Sequence, residues 1–281
     1  LQYALNLYQL DGRHIEDFNS DLAEELYGDL LASAAGAGLE KALSRLLCDP
    51  FARDPKHLLD LEAFLSAKFG HTSLMQIARA LLAVKRSGCA PESVLTFNAD
   101  VLLHTALTLL EIRQSHSSIG RLTPEFSYRP LYRSTDHQSG KTPIYHIHGS
   151  ITPTPSKRES REKLVFPESS YSQLAAAVYA WPQTVFLSAA QASRILFVGL
   201  SMSDPNIRRW LSWCNGYRRD EIDVLGTAPD FSSQHIWITT RSKDPLVQTA
   251  KESGLLHLGV RTAFIPDWGC LEAAIMNLTG C

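Results

Sequence analysis

ILFVGLSMSDPNIRRWL, Ile195 to Leu211, is the stretch that decides how the chain is read. It begins as an apolar, β-prone run, breaks at Gly199, passes through Ser201, Ser203 and Asp204, and opens a helix at Pro205. Pro near the first helical position, with Asp or Ser ahead of it, makes a sound helix N-terminus. Such an end, with free amides and a positive dipole, accepts a phosphate or a ribose. The plainer alternative is that Asp204 does no more than cap the helix.

Two segments upstream have the same form. VLTFNAD, Val94 to Asp100, is a strand run ending near Phe97, with Asn98 and Asp100 at its mouth. The Asn98 amide offers donors and an acceptor without charge and suits a ribose hydroxyl or a water; the alternative is a turn followed by an N-cap at Asp100. YHIHGS, Tyr145 to Ser150, alternates Ile144, His146 and His148 on one side against Tyr145 and Ile147 on the other, and Gly149 stops the strand. That pattern brings His148 out at the rim, where an imidazole suits general-base work at neutral pH, and leaves His146 deeper as a hydrogen-bonded core histidine. In parallel α/β sheets ligands sit at the carboxyl ends of strands, so three such ends bearing Asn, His, Gly, Ser and Asp point to one shared crevice.

Working outward, residues 1 to 90 read as helical: Ile15, Phe18, Leu22, Leu26 and Leu30 recur at spacings of three and four, as do Leu74, Ile77, Leu81 and Val84. From 91 to 281 short strands alternate with helices. Strands are expected at Ser93–Phe97, Pro143–His148, Arg194–Leu200, His235–Thr239 and Val260–Ile265. Helices are expected at Val101–Leu110, Tyr171–Ala180, Asn206–Trp213, Pro245–Ser253 and Leu271–Leu278. This order calls for a parallel sheet covered by helices on both faces. Ser115–Lys141 and Ile151–Arg161 read as long loops.

At 281 residues and 44% hydrophobic, the chain can bury a sizeable core. A net charge of -2 and a pI near 6.6 give no whole-chain reason to bind nucleic acid or an acidic membrane. SKRESREK, from Ser156, and YRRDE, from Tyr217, interleave bases with acids and read as solvated faces. No apolar run approaches the roughly 20 residues that cross a bilayer, and no signal peptide opens the chain; a cytoplasmic protein is expected. Cys48, Cys89, Cys214, Cys270 and Cys281 form no C-x-x-C pair, which disfavours a zinc ribbon and a disulfide framework. Reduced, mostly buried thiols and no metal are expected.

In order, the three segments resemble the sirtuin superfamily, and most closely its prokaryotic sirtuin-like branch found in antiviral defence, with T-x-N-x-D, H-x-H-G-S and F-V-G-x-S-x-x-D-P-N. LYG at Leu26–Gly28 and FPESSY at Phe166–Tyr171 are weaker matches. The resemblance implies an α/β fold with a Rossmann-like parallel sheet flanked by helices, a helical subdomain within residues 1–90, and no zinc module. It implies NAD as the bound substrate. By position, Thr96, Asn98 and Asp100 belong to the first motif: Asn98 holds the ribose or attacking water and Asp100 lines the nicotinamide pocket. His148, followed by Gly149, contacts the ribose and acts as general base. Gly199, Ser201 and Asp204 belong to the phosphate and ribose end, and Thr239 and Cys270 lie near the adenosine.

Two departures bear on the reaction. The family's G-A-G loop follows a strand, whereas the GAG at Gly36–Gly38 sits between helical patterns and reads as an interhelical turn; because the chain begins at Leu1 rather than Met, the true loop is expected upstream. Phe97 stands where protein-deacylating sirtuins carry Gln, and no cysteine lies between His148 and Leu196, where those enzymes carry their zinc module. NAD hydrolysis is therefore the favoured reaction. NAD-dependent deacylation and non-catalytic NAD sensing are the alternatives. The resemblance further implies a homo-oligomer or a regulatory protein partner, with no nucleic acid or membrane as partner.

Overall fold

The computed structural model describes residues 70–98, 102–117, 127–131, 140–149, 180–226 and 235–280. The elements run α1 (Ser73–Arg86), β1 (Val94–Thr96), α2 (Leu102–Ser117), β2 (Tyr128–Leu131), β3 (Thr142–His146), α3 (Trp181–Ala192), β4 (Leu196–Val198), α4 (Pro205–Leu225), β5 (His235–Thr240), α5 (Pro245–Ser253), β6 (Val260–Ile265) and α6 (Leu271–Thr279). The chain is α/β, and among the described residues the strands form two three-stranded sheets in the orders β1-β3-β2 and β4-β5-β6. Every pairing is parallel. The protein divides into two compact units, the first containing residues 85–177 and the second residues 71–84 and 178–281.

In the first unit β3 is central. Thr96 pairs with His146 on one side and Leu131 with Tyr145 on the other. Ile144, Ile147, Leu107 and Leu109 are buried, and α2 is tied to the start of β2 where the Glu111 carboxylate accepts the Ser127 N–H at 2.8 Å. Burial raises the Glu111 pKa, opposed by that hydrogen bond. The segment Ser115–Lys141, expected as a loop, holds the end of α2 and strand β2. Its polar composition hid both. Glu111 turns inward to a backbone donor, and Pro130 is tolerated because β2 lies at the edge of its sheet among the described residues.

In the second unit β5 is central and HIWITT is buried along nearly its whole length, as a parallel strand covered on both faces requires. On one face Ile238 packs with Ala80 of α1, Ile265 of β6 and Leu271 and Ile275 of α6, joined by Leu196 and Val198 of β4. Phe197, one pleat over, meets Phe186 of α3 at 6.4 Å, and Phe186 meets Trp210 of α4 at 5.2 Å. The periodicity expected from Leu74 to Val84 forms α1. The helix α4 runs to Leu225 rather than Trp213 and ends at Gly226 with φ 62, a left-handed stop suited to glycine. Helix α3 was not expected: Pro182 stands in its first turn after Ala180, a start signal hidden in an apolar run. The expected helix Tyr171–Ala180, the repeats at Ile15–Leu30, and the LYG, GAG and FPESSY segments lie outside the described residues, save Ala180.

Cys214 is a buried free thiol and Cys270 a half-buried one. Cys89 is disulfide-bonded, contrary to the expectation of reduced thiols throughout. Among the described residues no helix is long and apolar enough to cross a membrane.

Candidate functional site

The strand ends of the first unit hold Thr96, Asn98, His146, His148 and Gly149. Strand β3 stops at His146, so alternation does not carry His148 to an open rim. Instead Ile147 and His148 form a turn, with the Ile147 N–H donating to Thr96 O at 2.9 Å and Gly149 closing it at φ 80. His148 is buried, and its ring meets the edge of Phe97 at 5.0 Å. Phe97 thus acts as a wall for the imidazole. Asn98 is exposed, and its N–H is held by Thr96 Oγ1 at 3.2 Å.

His146 binds this turn to the neighbouring strand end. Its Nδ1 lies 3.3 Å from Asn98 O. Burial lowers its pKa to about 4, against the hydrogen bond to Asn98, which raises it. The ring is therefore neutral near pH 7, and because a carbonyl only accepts, Nδ1 carries the proton and donates it. A core histidine thereby fixes the main chain that presents Asn98. Asp100 lies outside the described residues.

His104, in the first turn of α2, is absent from the sequence-based set. Burial, then the nearby Lys141 charge, lowers its pKa to about 4, and it acts electrostatically on His146. Its signal was a histidine at the third position of the helix that follows Asn98, within an otherwise apolar run.

The second unit presents Gly199, Ser201 and Asp204 after β4, and Thr239 at the end of β5. Gly199 is exposed with φ 71, and no atom would lie within 4 Å of an added Cβ. Ser201 and Ser203 are exposed and share a 2.6 Å hydroxyl contact. Between them Met202 is buried with φ 60, a left-handed conformation that costs a non-glycine residue about 1 kcal/mol. Arg208 Nη1 donates to its carbonyl at 3.2 Å, and Trp237 Nε1 donates to Leu200 O at 2.9 Å. The loop is thus held by α4 and β5 with its hydroxyls outward. An open glycine beside two hydroxyls fits the oxygens of a phosphate or sugar.

Asp204 is the N-cap of α4. Its Oδ1 accepts the Asn206 N–H at 2.7 Å and the Ile207 N–H at 3.2 Å. The plainer sequence reading of Asp204 therefore describes its main contacts, and those amides are engaged by the cap. Thr239 is buried, with Lys251 Nζ 3.5 Å from its hydroxyl. Cys270 closes the short turn before α6, its thiol 3.8 Å from Asp267 Oδ2. Among the described residues no group of three His, Cys, Asp or Glu side chains is arranged to hold a metal ion.

Parallel strands ending in glycine turns, capped helices and polar side chains define the chain as a Rossmann-like α/β protein of the nucleotide-binding type. The match of residues 92–258, more than half of the chain, to the SIR2-like domain model gives the family. The chain belongs to the SIR2-like domain family, in which NAD is the expected ligand. No curated protein matches it.

Proposed function

We propose that this protein is an NAD glycohydrolase, cleaving the nicotinamide–ribose bond to give nicotinamide and ADP-ribose, and that it serves as an NAD-depleting effector of antiphage defence. The observation that carries the reading is the pairing of an exposed Asn98 with His148 on adjoining strand ends, the first fixed through His146 and the second backed by Phe97. Phe97 occupies the position at which protein-deacylating relatives carry Gln.

In this mechanism the glycosidic bond breaks with its electron pair leaving on nicotinamide, and positive charge develops at the sugar. Asn98 orients the attacking water through its uncharged amide. His148 takes the proton that the water loses as its oxygen bonds to C1 of the ribose. Asp100 lines the nicotinamide pocket and favours the developing charge. Gly199, Ser201 and Gly149 approach the phosphates and ribose, Asp204 keeps the start of α4 in place, and Thr239 and Cys270 serve the adenosine end. No metal is required. The protein acts in the cytoplasm and is kept silent by its own oligomer or by a regulatory partner until infection.

The decisive experiment incubates the full chain with NAD alone and separates the products. Nicotinamide and ADP-ribose are expected, and neither forms when Asn98 or His148 is replaced by Ala. Consumption only in the presence of an acylated peptide would identify a deacylase. NAD recovered intact while raising the melting temperature would identify a sensor. A fall in cellular NAD after phage challenge, abolished by His148→Ala, tests the defence role.

A further inference from the structure

The helix α4 carries 21 residues, about 30 Å of length, and its outward face is unusual for a solvated helix. Trp213, Tyr217 and Val224 are 49%, 64% and 85% exposed. They recur at helical spacing on one stripe with Arg209, Gly216 and Asp220 between and beside them. Arg209 lies over the Trp213 ring at 5.4 Å, which flattens that aromatic surface. Exposed Trp and Tyr beside a half-buried Arg are the composition of an interface centre, not of a free surface.

Apart from the Asp204 cap at its start and Arg218 and Arg219 ahead of its last turn, the charges on α4 run against its own dipole. Its first turn has no acid and its last turn no base. Arg208 and Arg209 lie near the start, where a helix favours negative charge, and Asp220, Glu221 and Asp223 near the end, where it favours positive charge. An antiparallel copy of the same helix corrects both ends at once. With the pair centred between Gly216 and Tyr217, Arg209 of one copy lies beside Asp223 and Val224 of the other, and Trp213 lies opposite Asp220. Gly216, with open space around it, receives Tyr217 of the second copy. Self-complementarity of this kind is what a two-fold interface requires.

We infer that the outer face of α4 is a homotypic docking surface on which a second copy of this chain packs with its α4 antiparallel. The inference specifies the surface behind the oligomer in the proposed function, and its test reads assembly alone, so its failure leaves the NAD chemistry standing.

Sedimentation of the full chain across a concentration series is expected to show a dimer or an even-numbered larger assembly. Gly216→Gln puts a better helix former at an exposed position, so the fold is retained while the close approach is blocked. Its dissociation constant is expected to rise by about tenfold or more. Asp220→Arg with Asp223→Arg in one chain, and Arg209→Glu in another, are each expected to prevent self-association, yet an equimolar mixture of the two is expected to form a mixed dimer. A monomeric full chain, an assembly unchanged by Gly216→Gln, or a mixture that stays monomeric would each overturn the inference, leaving α4 a solvated face or a surface for another protein.

Discussion

His146 and His148, at the end of β3, are 2% and 4% exposed, whereas Gly199, Ser201 and Ser203, at the end of β4, stand in solvent. The first region locks its polar groups with a carbonyl contact and an aromatic edge. The second keeps its hydroxyls outward and spends backbone strain at Met202 on holding them there. Buried, oriented imidazoles suit a group that must move a proton at one position. Open glycine and serine suit a ligand part that needs only contact. Under the proposed function the first region does the chemistry and the second holds the ligand, and substitutions in the two should fail in different ways.

The largest effect is expected at the chemical end. His148→Ala should lower the rate of nicotinamide release by about a hundredfold or more, the usual worth of a general base, with the Michaelis constant much less changed. His148→Phe keeps the packing against Phe97 and should be as inactive, which distinguishes lost chemistry from lost fold. Initial rates by nicotinamide chromatography check both, and a hundredfold rise in the Michaelis constant with kcat retained would move His148 to the binding side.

At the binding end, Ser201→Ala should raise the Michaelis constant by about tenfold, the loss of one hydrogen bond to an anionic ligand, and leave kcat within a small factor. Gly199→Ala should have a similar effect by a different route. Its φ of 71 is unfavourable for a side chain although nothing would touch the new Cβ, so the turn must shift. If kcat falls with the Michaelis constant unchanged, the division between the two ends is wrong.

A second comparison sets two buried histidines of opposite tautomer against each other. His146 donates from Nδ1 to Asn98 O, while His235 accepts the Ile195 N–H at Nδ1, at 3.2 Å. Both have a pKa lowered to about 4, as has His104, in every case chiefly by burial. Each is neutral when folded, and the unfolded reference is about 6.5. Their contribution to stability is therefore complete above pH 6.5 and is lost as pH falls toward 4, where the unfolded chain holds more protons. Denaturant titrations from pH 7 to 4 should show a steep fall. His146→Gln, which retains a donor, and His235→Asn, which retains an acceptor, should each flatten it by at most about 1.4 kcal/mol per pH unit. An unchanged slope in His146→Gln would mean that this ring already titrates normally.

How much was legible in the sequence follows from where each signal was local. Strand β6 and helix α5 have the expected bounds, α6 runs one residue further than expected, and α1 was foreshadowed by apolar spacing. The strand β2 and the inward turn of Glu111 depend on a partner that only folding supplies, so a polar segment gave no sign of them. His148 illustrates the same limit: alternation holds only while the strand lasts, and the turn closed by the Gly149 N–H on His146 O ends it two residues early. Gly199 needed no tertiary information, since a glycine closing an apolar run is a backbone requirement written in one letter.

The smallest effect separates two caps with the same chemistry. Asp204 and Asp244 both precede a proline and both accept two amides through Oδ1, at 2.7 and 3.2 Å for the first and 2.8 and 3.3 Å for the second. Loss of such a cap costs about 1 kcal/mol. The helices differ in what the cap supports. Helix α5 buries none of its residues, so Asp244→Ala should fray its first turn, lower the melting temperature slightly and leave NAD turnover unchanged. Helix α4 buries Asn206, Ile207 and Trp210 in its first two turns and holds the Met202 carbonyl through Arg208, so Asp204→Ala transmits the same local loss to the turn bearing Ser201 and Ser203. Its Michaelis constant should rise severalfold for a similar change in melting temperature. Equal kinetic effects from the two substitutions would show that the cap of α4 supports only its own helix, and that the exposed serines are held by β5 through Trp237 alone.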